Sequence, residues 1–299
     1  MLLSSVKKPF IVALKIAAAV LVSYAVLFTI AATITLMYLV TLIGTPITQV
    51  KQLAHRNPKI SSFMAEYRKH AVASGDTATL RWRFVPLDSI SKNLINAVIA
   101  SEDDAFYIHP GIDIAAIMSA YERNRSEGRI AHGGSTITQQ VAKNLFLSKE
   151  RTFTRKYKEI MYTFLLEAFL EKDRILELYL NYAQWGKSIF GCEAASRYYY
   201  HKSSYNLSMW EATRMAAILA KPEKLNPQST SNGFIAKRLL AMADNLYLHR
   251  EITESTYIAL IGQPPPPRAG DSAGKDTFPP INGLGSGNRD PANPSKNRF

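Results

Sequence analysis

The chain has 299 residues, 47% of them hydrophobic, enough for one substantial core. Its net charge of +12 favours an anionic partner: nucleic acid, an anionic membrane surface or a phosphorylated substrate. The single cysteine, Cys192, excludes an intrachain disulfide and any multi-cysteine metal site.

In chain order, residues 1–15 form a short N-terminal segment carrying Lys7, Lys8 and Lys15. Residues 16–43, "IAAAVLVSYAVLFTIAATITLMYLVTLI", are uncharged throughout. About 20 apolar residues in a helix cross a bilayer's hydrocarbon core, so this run is long enough to span with some tilt. It is too long for the apolar region of a cleaved signal peptide, and it has no polar stripe such as a buried core helix shows. A retained single-pass anchor is therefore expected. The leading lysines favour a cytoplasmic N-terminus. Lys51, Arg56, Lys59, Arg68 and Lys69 follow the span, so charge alone does not fix the orientation; these residues suit anionic headgroups.

Residues 44–83 read as a juxtamembrane connector with short helical pieces around "ISSFMAEYRKH". From 84 to 262 apolar residues recur at helical spacing, as at Leu94, Ile95, Val98 and Ile99, and alternating patterns are nearly absent. The expected class is all-α. Residues 263–299 are rich in Pro, Gly, Ser and Asn and poor in apolar residues, which predicts a disordered tail.

Three blocks could carry chemistry. In "ASEDDAFYIHPGID" Glu102 falls near the end of a helix, beside Asp103 and Asp104. A helix C-terminus disfavours a carboxylate, and neighbouring acids repel, conditions that suit a general acid or base. A solvated acidic surface fits the same residues, and His109 with Pro110 and Gly111 reads as a turn. In "HGGSTITQQVAKNLFL" Gly133 and Gly134 allow close backbone approach, and Ser135 or Thr136 can cap the following helix. That helix can line up Thr136, Gln140 and Lys143, or Gln139 and Lys143, on one face. Such a face fits a sugar and its phosphate; a plainly capped helix with a polar side is the bland reading. The lysine lies on the helix and not directly after the glycines, so this is no Walker-type loop. In "KERTFTRKYKEIMYTFLLEAFLE" Lys149, Arg151, Arg155, Lys156 and Lys158 could hold a diphosphate. Glu159 could pair with Arg155 four residues earlier, or act in catalysis or on a metal. Phe146, Leu147 and Phe153 lie among these charges, a mixture that suits a surface dipping into a membrane interface.

"IASEDDAFYIHPGID", "GGSTITQQVAKNLF", "RTFTRKYKE" and "ILELYLNYAQWGKSIFGCEAASRYYY" follow one another in that order. Together they resemble the motifs of the family 51 peptidoglycan glycosyltransferases, over roughly residues 84 to 250. The resemblance implies a lysozyme-like helical fold with a membrane-dipping jaw lobe. It implies polymerisation of lipid II: a growing glycan on polyprenyl diphosphate is the donor and a lipid II 4-hydroxyl the acceptor, with inversion at the anomeric carbon. Glu102 aligns with the family's general base. Glu159 aligns with a second glutamate that helps hold a divalent cation, magnesium or manganese, or the leaving diphosphate. Lys143 and Arg151 align with residues on that diphosphate, and Ser135, Gln140, Arg155 and Lys158 with cleft residues. Lys221 is a weaker match, and "YYYHKSS" departs from the family's usual ending. Expected partners are lipid II and its glycan chain, membrane lipids and other cell-wall synthesis or division proteins. The expected site is the inner membrane of a bacterium, with the catalytic domain on its periplasmic or outer face. A lysozyme-like hydrolase, which has little use for a diphosphate grip, and an inactive membrane scaffold are the alternatives. A nucleic-acid binder is remote, because no base-reading module accompanies the positive charge.

Overall fold

The computed structural model describes residues 3–76, 79–126, 128, 133–150 and 152–268. The chain divides into two units, residues 1–55 and the remainder from Arg56. The first is a single helix, α1 (Leu3–Leu53). Its most apolar stretch is Leu14–Met37, 24 residues of mean hydropathy 2.2 with no part buried. At 1.5 Å per residue that stretch is roughly 36 Å long, enough to cross a bilayer core. Ser23, Thr29, Thr33 and Thr35 each donate their hydroxyl to the carbonyl four residues back, so no side-chain donor among them is left to an apolar surround. The helix does not stop where the apolar run stops. It continues through Gly44 and Pro46 into the expected connector.

The second unit is mainly helical, as the periodicity predicts. Its helices are α2 (Ser62–Ala73), α3 (Lys92–Glu102), α4 (Ile114–Ser126), α5 (Ile137–Phe146), α6 (Phe153–Phe169), α7 (Lys172–Tyr182), α8 (Cys192–Tyr200), α9 (Met209–Ile218), α10 (Gly233–Leu248) and α11 (Glu254–Ile261). Most begin at a side-chain cap. Ser91 accepts from the Leu94 amide at the start of α3, Thr152 from Arg155 at α6 and Asn232 from Phe234 and Ile235 at α10. Thr136 and Gln139 cap α5 reciprocally, as do Ser208 and Glu211 at α9.

Two packing groups position the site. Helix α5 buries Ile137, Val141, Ala142 and Leu145 against α6 and α7. Helix α3 buries Leu94, Ala97, Val98 and Ile99 against α9 and α10. Removal of these side chains from water contributes roughly 1.5–3 kcal/mol for each large one. A small sheet, absent from the sequence expectation, joins β1 (Arg81–Trp82), β2 (Gln184–Gly186) and β3 (Ile189–Phe190). Its order is β1-β3-β2, with β1 parallel and β2 antiparallel to β3. Buried Asn181 at the end of α7 ties this layer down: its amide bonds the N–H and C=O of Val85, and its carbonyl accepts from the Trp82 indole.

The expected tail falls beyond the described residues from 269 onward. Within its described part, residues 263–268, Arg268 lies 3.8 Å from the centre of the Tyr247 ring and donates to the Tyr247 carbonyl.

Candidate active site

The acidic triplet is divided three ways. Glu102 is the last residue of α3, and its side chain is 11% exposed. One carboxylate oxygen accepts from the Arg238 guanidinium on α10 at 2.5 Å and from the Ser101 hydroxyl at 3.4 Å. The other accepts from the Gln140 amide on α5 at 3.0 Å. A guanidinium thus offsets the unfavourable end of the α3 dipole. Asp103 is buried and turned elsewhere, while Asp104 is exposed.

Asp103 is architectural rather than a mere polar neighbour. One oxygen accepts from the Ile137 amide at 2.9 Å, so a carboxylate sits at the positive end of α5. The other bonds His109 Nε2 at 2.8 Å. His109 Nδ1 accepts from the Gly111 amide at 3.0 Å, which leaves the ring proton on Nε2, donated to Asp103. His109 is therefore a turn-holding residue. The Gly111 carbonyl accepts from Thr136 at 2.6 Å, closing a loop of bonds from the end of α3 to the start of α5. Gly111 has φ of +93°, and a Cβ there would stand 2.7 Å from Glu167 Cγ and 2.9 Å from Thr163 Cγ2. Gly134 meets the same kind of limit: its Cβ would stand 2.8 Å from the Ile117 backbone on α4.

Helix α5 brings Gln140 and Lys143 near Glu102, one turn apart. Gln139 does not join them, because its side chain accepts from the Thr136 amide. The Gln140 carbonyl oxygen accepts from the buried Tyr179 hydroxyl of α7 at 3.3 Å. Burial first, and then the Glu102 charge, hold that phenol protonated well above its ordinary value. The Lys143 ammonium makes no hydrogen bond or ion pair among the described residues. Burial holds it below the usual lysine range, while the charges of Glu159 and then Glu102 pull it back up.

Glu159 on α6 is buried and already held. Arg155 donates to one oxygen at 2.6 Å and Lys156 to the other at 2.5 Å. The expected Arg155 pairing forms, with a second cation added. This donor set bears on a divalent ion. Each oxygen of Glu159 is occupied by a cation, and among the described residues no three His, Cys, Asp or Glu side chains are placed to share a metal. The chain's own side chains do not fit a resident ion here.

The structure thus brings together Glu102, Gln140, Lys143, Arg155 and Glu159 among the residues singled out in the sequence. Ser135 and Lys158 are exposed, and neither bonds to this group among the described residues. Arg151 lies outside the described residues. Lys221 is exposed, with its ammonium 4.4 Å from the Phe234 ring centre. Lys149, from the same basic run, is held by Glu223 and Gln184. Arg238 and Tyr179 were not distinguishable in sequence. Arg238 sits inside an ordinary amphipathic run, 136 residues from its partner. Phe153 is 98% exposed, as its charged surroundings predict, but Leu147 is buried and Phe146 stacks on Tyr162 at 4.2 Å.

Fold and site together define a mainly helical domain with a helix long and apolar enough to span a membrane, two braced carboxylates, Glu102 and Glu159, and the cations Lys143, Arg155, Lys156 and Arg238 about them. Comparison with known proteins agrees. The transglycosylase family matches residues 69–246. A biosynthetic peptidoglycan transglycosylase of Burkholderia orbicola (strain MC0-3) is 44% identical over 176 residues, 59% of this chain and 72% of that one. The protein of the same name in Thiobacillus denitrificans is 49% identical over 166 residues, covering 56% and 72%. That of Burkholderia cenocepacia (strain HI2424) is 46% identical over 166 residues, covering 56% and 68%. The chain belongs to the transglycosylase family.

Proposed function

We propose that this peptidoglycan glycosyltransferase polymerises lipid II into glycan strands for cell-wall synthesis, with Glu102 as the general base. The reading rests above all on one observation: the Glu102 carboxylate, braced as a hydrogen-bond acceptor, is coupled through the charge of Lys143 to Glu159, which Arg155 and Lys156 hold. In the reaction Glu102 takes the proton of the acceptor's 4-hydroxyl. The freed oxygen attacks the donor's anomeric carbon from the face opposite the diphosphate. The bond from that carbon to the diphosphate oxygen breaks, and its electron pair leaves with the polyprenyl diphosphate. Fixed cations stabilise the charge that develops there and need no reorganisation to do so. Lys143 has no competing hydrogen-bond or ion-pair partner among the described residues and is the first of these. Arg155 and Lys156 follow, aligned by Glu159. Arg151 joins them by resemblance alone. A divalent ion, magnesium or manganese, enters this reading only as a companion of the substrate's diphosphate.

The substrate's lipid places the reaction at a membrane surface. Helix α6 supports this with an exposed stripe of Phe153, Tyr157 and Phe164 on the side away from Arg155 and Glu159. Helix α4 adds Ile114, Met118 and Tyr121, all exposed. Apolar stripes on a basic domain suit a lobe resting in the interface. In this reading α1 anchors the chain in a bacterial inner membrane, with the domain on the periplasmic side. The test is the purified full chain in lipid vesicles with lipid II. Long glycan strands on a gel support the proposal. Absence of polymer, or shortening of a finished glycan supplied instead, contradicts it.

A further inference from the structure

We propose that Arg238 and Tyr179 are positioning residues that fix the two oxygens of Glu102 for proton abstraction, one directly and one through Gln140. This inference rests on the base role given above. A carboxylate has about four acceptor positions, and a base works only when a free one faces the hydroxyl it must deprotonate. A glutamate at a helix end can swing between rotamers unless something holds it. Here each oxygen has its own brace.

The first brace is Arg238. One of its terminal nitrogens bonds Ser101 Oγ at 2.6 Å and Glu102 Oε1 at 2.5 Å. A single group thereby grips two consecutive residues at the end of α3. Its Nε is buried with no hydrogen-bond partner among the described residues, a cost in solvation that this placement carries. On the same helix Asn245 donates to the Ala100 carbonyl at 3.0 Å, which anchors the α3 terminus against α10 by a second point. The second brace is indirect. An amide can present either its oxygen or its nitrogen to a neighbour, and oxygen toward a carboxylate repels it. The Tyr179 hydroxyl, kept protonated by burial, donates to Gln140 Oε1, which turns Nε2 toward Glu102 Oε2.

Among the described residues, the titratable or charged groups facing Glu102 from packed elements are Lys143 from α5, Tyr179 from α7 and Arg238 from α10, while Asp103, next along its own chain, is turned to His109 and the Ile137 amide.

The experiment uses the full chain in vesicles with lipid II and compares wild type with Arg238→Met, Arg238→Lys, Tyr179→Phe and Glu102→Gln. For Arg238→Met, kcat should fall by about 100-fold with KM changed less than about 3-fold, the pattern of a lost transition-state effect. Arg238→Lys should recover part of the rate. Tyr179→Phe should lower kcat by about 5- to 10-fold, again with little change in KM, consistent with loss of one neutral hydrogen bond. Should Arg238→Met not fold, the lysine and phenylalanine variants carry the same kcat-against-KM comparison. Wild-type kcat in folded Arg238 variants, or a loss carried by KM alone, would overturn the inference while an inactive Glu102→Gln left the function standing. Failure of the wild-type chain to polymerise lipid II would remove the reading beneath it.

Discussion

Lys143 shows how a single side chain can be unfavourable for the fold and useful to the reaction. Its ammonium is buried without a hydrogen-bonded partner among the described residues, and its pKa is below the ordinary value of 10.5. The sign follows from that direction. The folded state penalises the charged form, so the penalty is present in full at pH below the lowered value. It is relieved as pH rises through that value toward 10.5. Lys143→Met is therefore expected to raise the melting midpoint at neutral pH, measured by circular dichroism, while weakening binding of a polyprenyl diphosphate by about 10- to 100-fold. Binding by the wild-type chain should also fade with rising pH earlier than an ordinary lysine would cause, and Lys143→Met should lose that dependence. A destabilised variant with intact diphosphate affinity would contradict both the burial argument and the role. At this scale much of the site was legible. Acids at a helix end, a lysine one turn after a glutamine, and an arginine four residues before Glu159 are local patterns. Arg238 and Tyr179 were not, because their partners lie 136 and 39 residues away and nothing in their own segments marks them.

Among the elements, the turn from Glu102 to Gly111 and the start of α5 act as one unit. Asp103, His109, Gly111 and Thr136 are joined by hydrogen bonds of 2.6–3.0 Å, so the cap of α5 depends on the conformation of a turn 25 residues earlier. Gly111→Ala strains this unit twice, by a positive φ and by contact with Glu167 and Thr163. Chemical denaturation should show a loss of about 3 kcal/mol. An unfolding curve matching wild type would mean that the turn is not under this constraint. Helices were readable because their apolar period and caps are local signals, as at Ser91, Leu94, Val98 and Ile99. The sheet was not. Strands of two or three residues cannot establish an alternating pattern, and β1 pairs with β3 across more than a hundred residues. Helix α1 outlasts the apolar run, which ends at Ile43, because helical backbone hydrogen bonding does not need apolar side chains and continues to Leu53.

For the whole molecule, the proposed reading puts the apolar helix α1 in the membrane and the exposed stripes of α4 and α6 at its surface. A single aromatic side chain leaving water contributes roughly 1.5–3 kcal/mol, so the stripe on α6 should matter to a substrate that lives in the bilayer. Phe153→Ser combined with Tyr157→Ser is expected to raise KM for vesicle-embedded lipid II by about 10-fold with little change in kcat. Unchanged KM in vesicles would show that α6 does not rest in the interface. The transglycosylase relatives and the cleft geometry point to the same chemistry, which hangs on one carboxylate. The most direct measurement is the rate of glycan formation from lipid II by folded Glu102→Gln, an isosteric change that keeps the shape of the cleft and removes the base. The account predicts a loss of about 100- to 10,000-fold with an unchanged melting curve, the range expected for a lost general base. Polymerisation by that variant within a few-fold of wild type would contradict it.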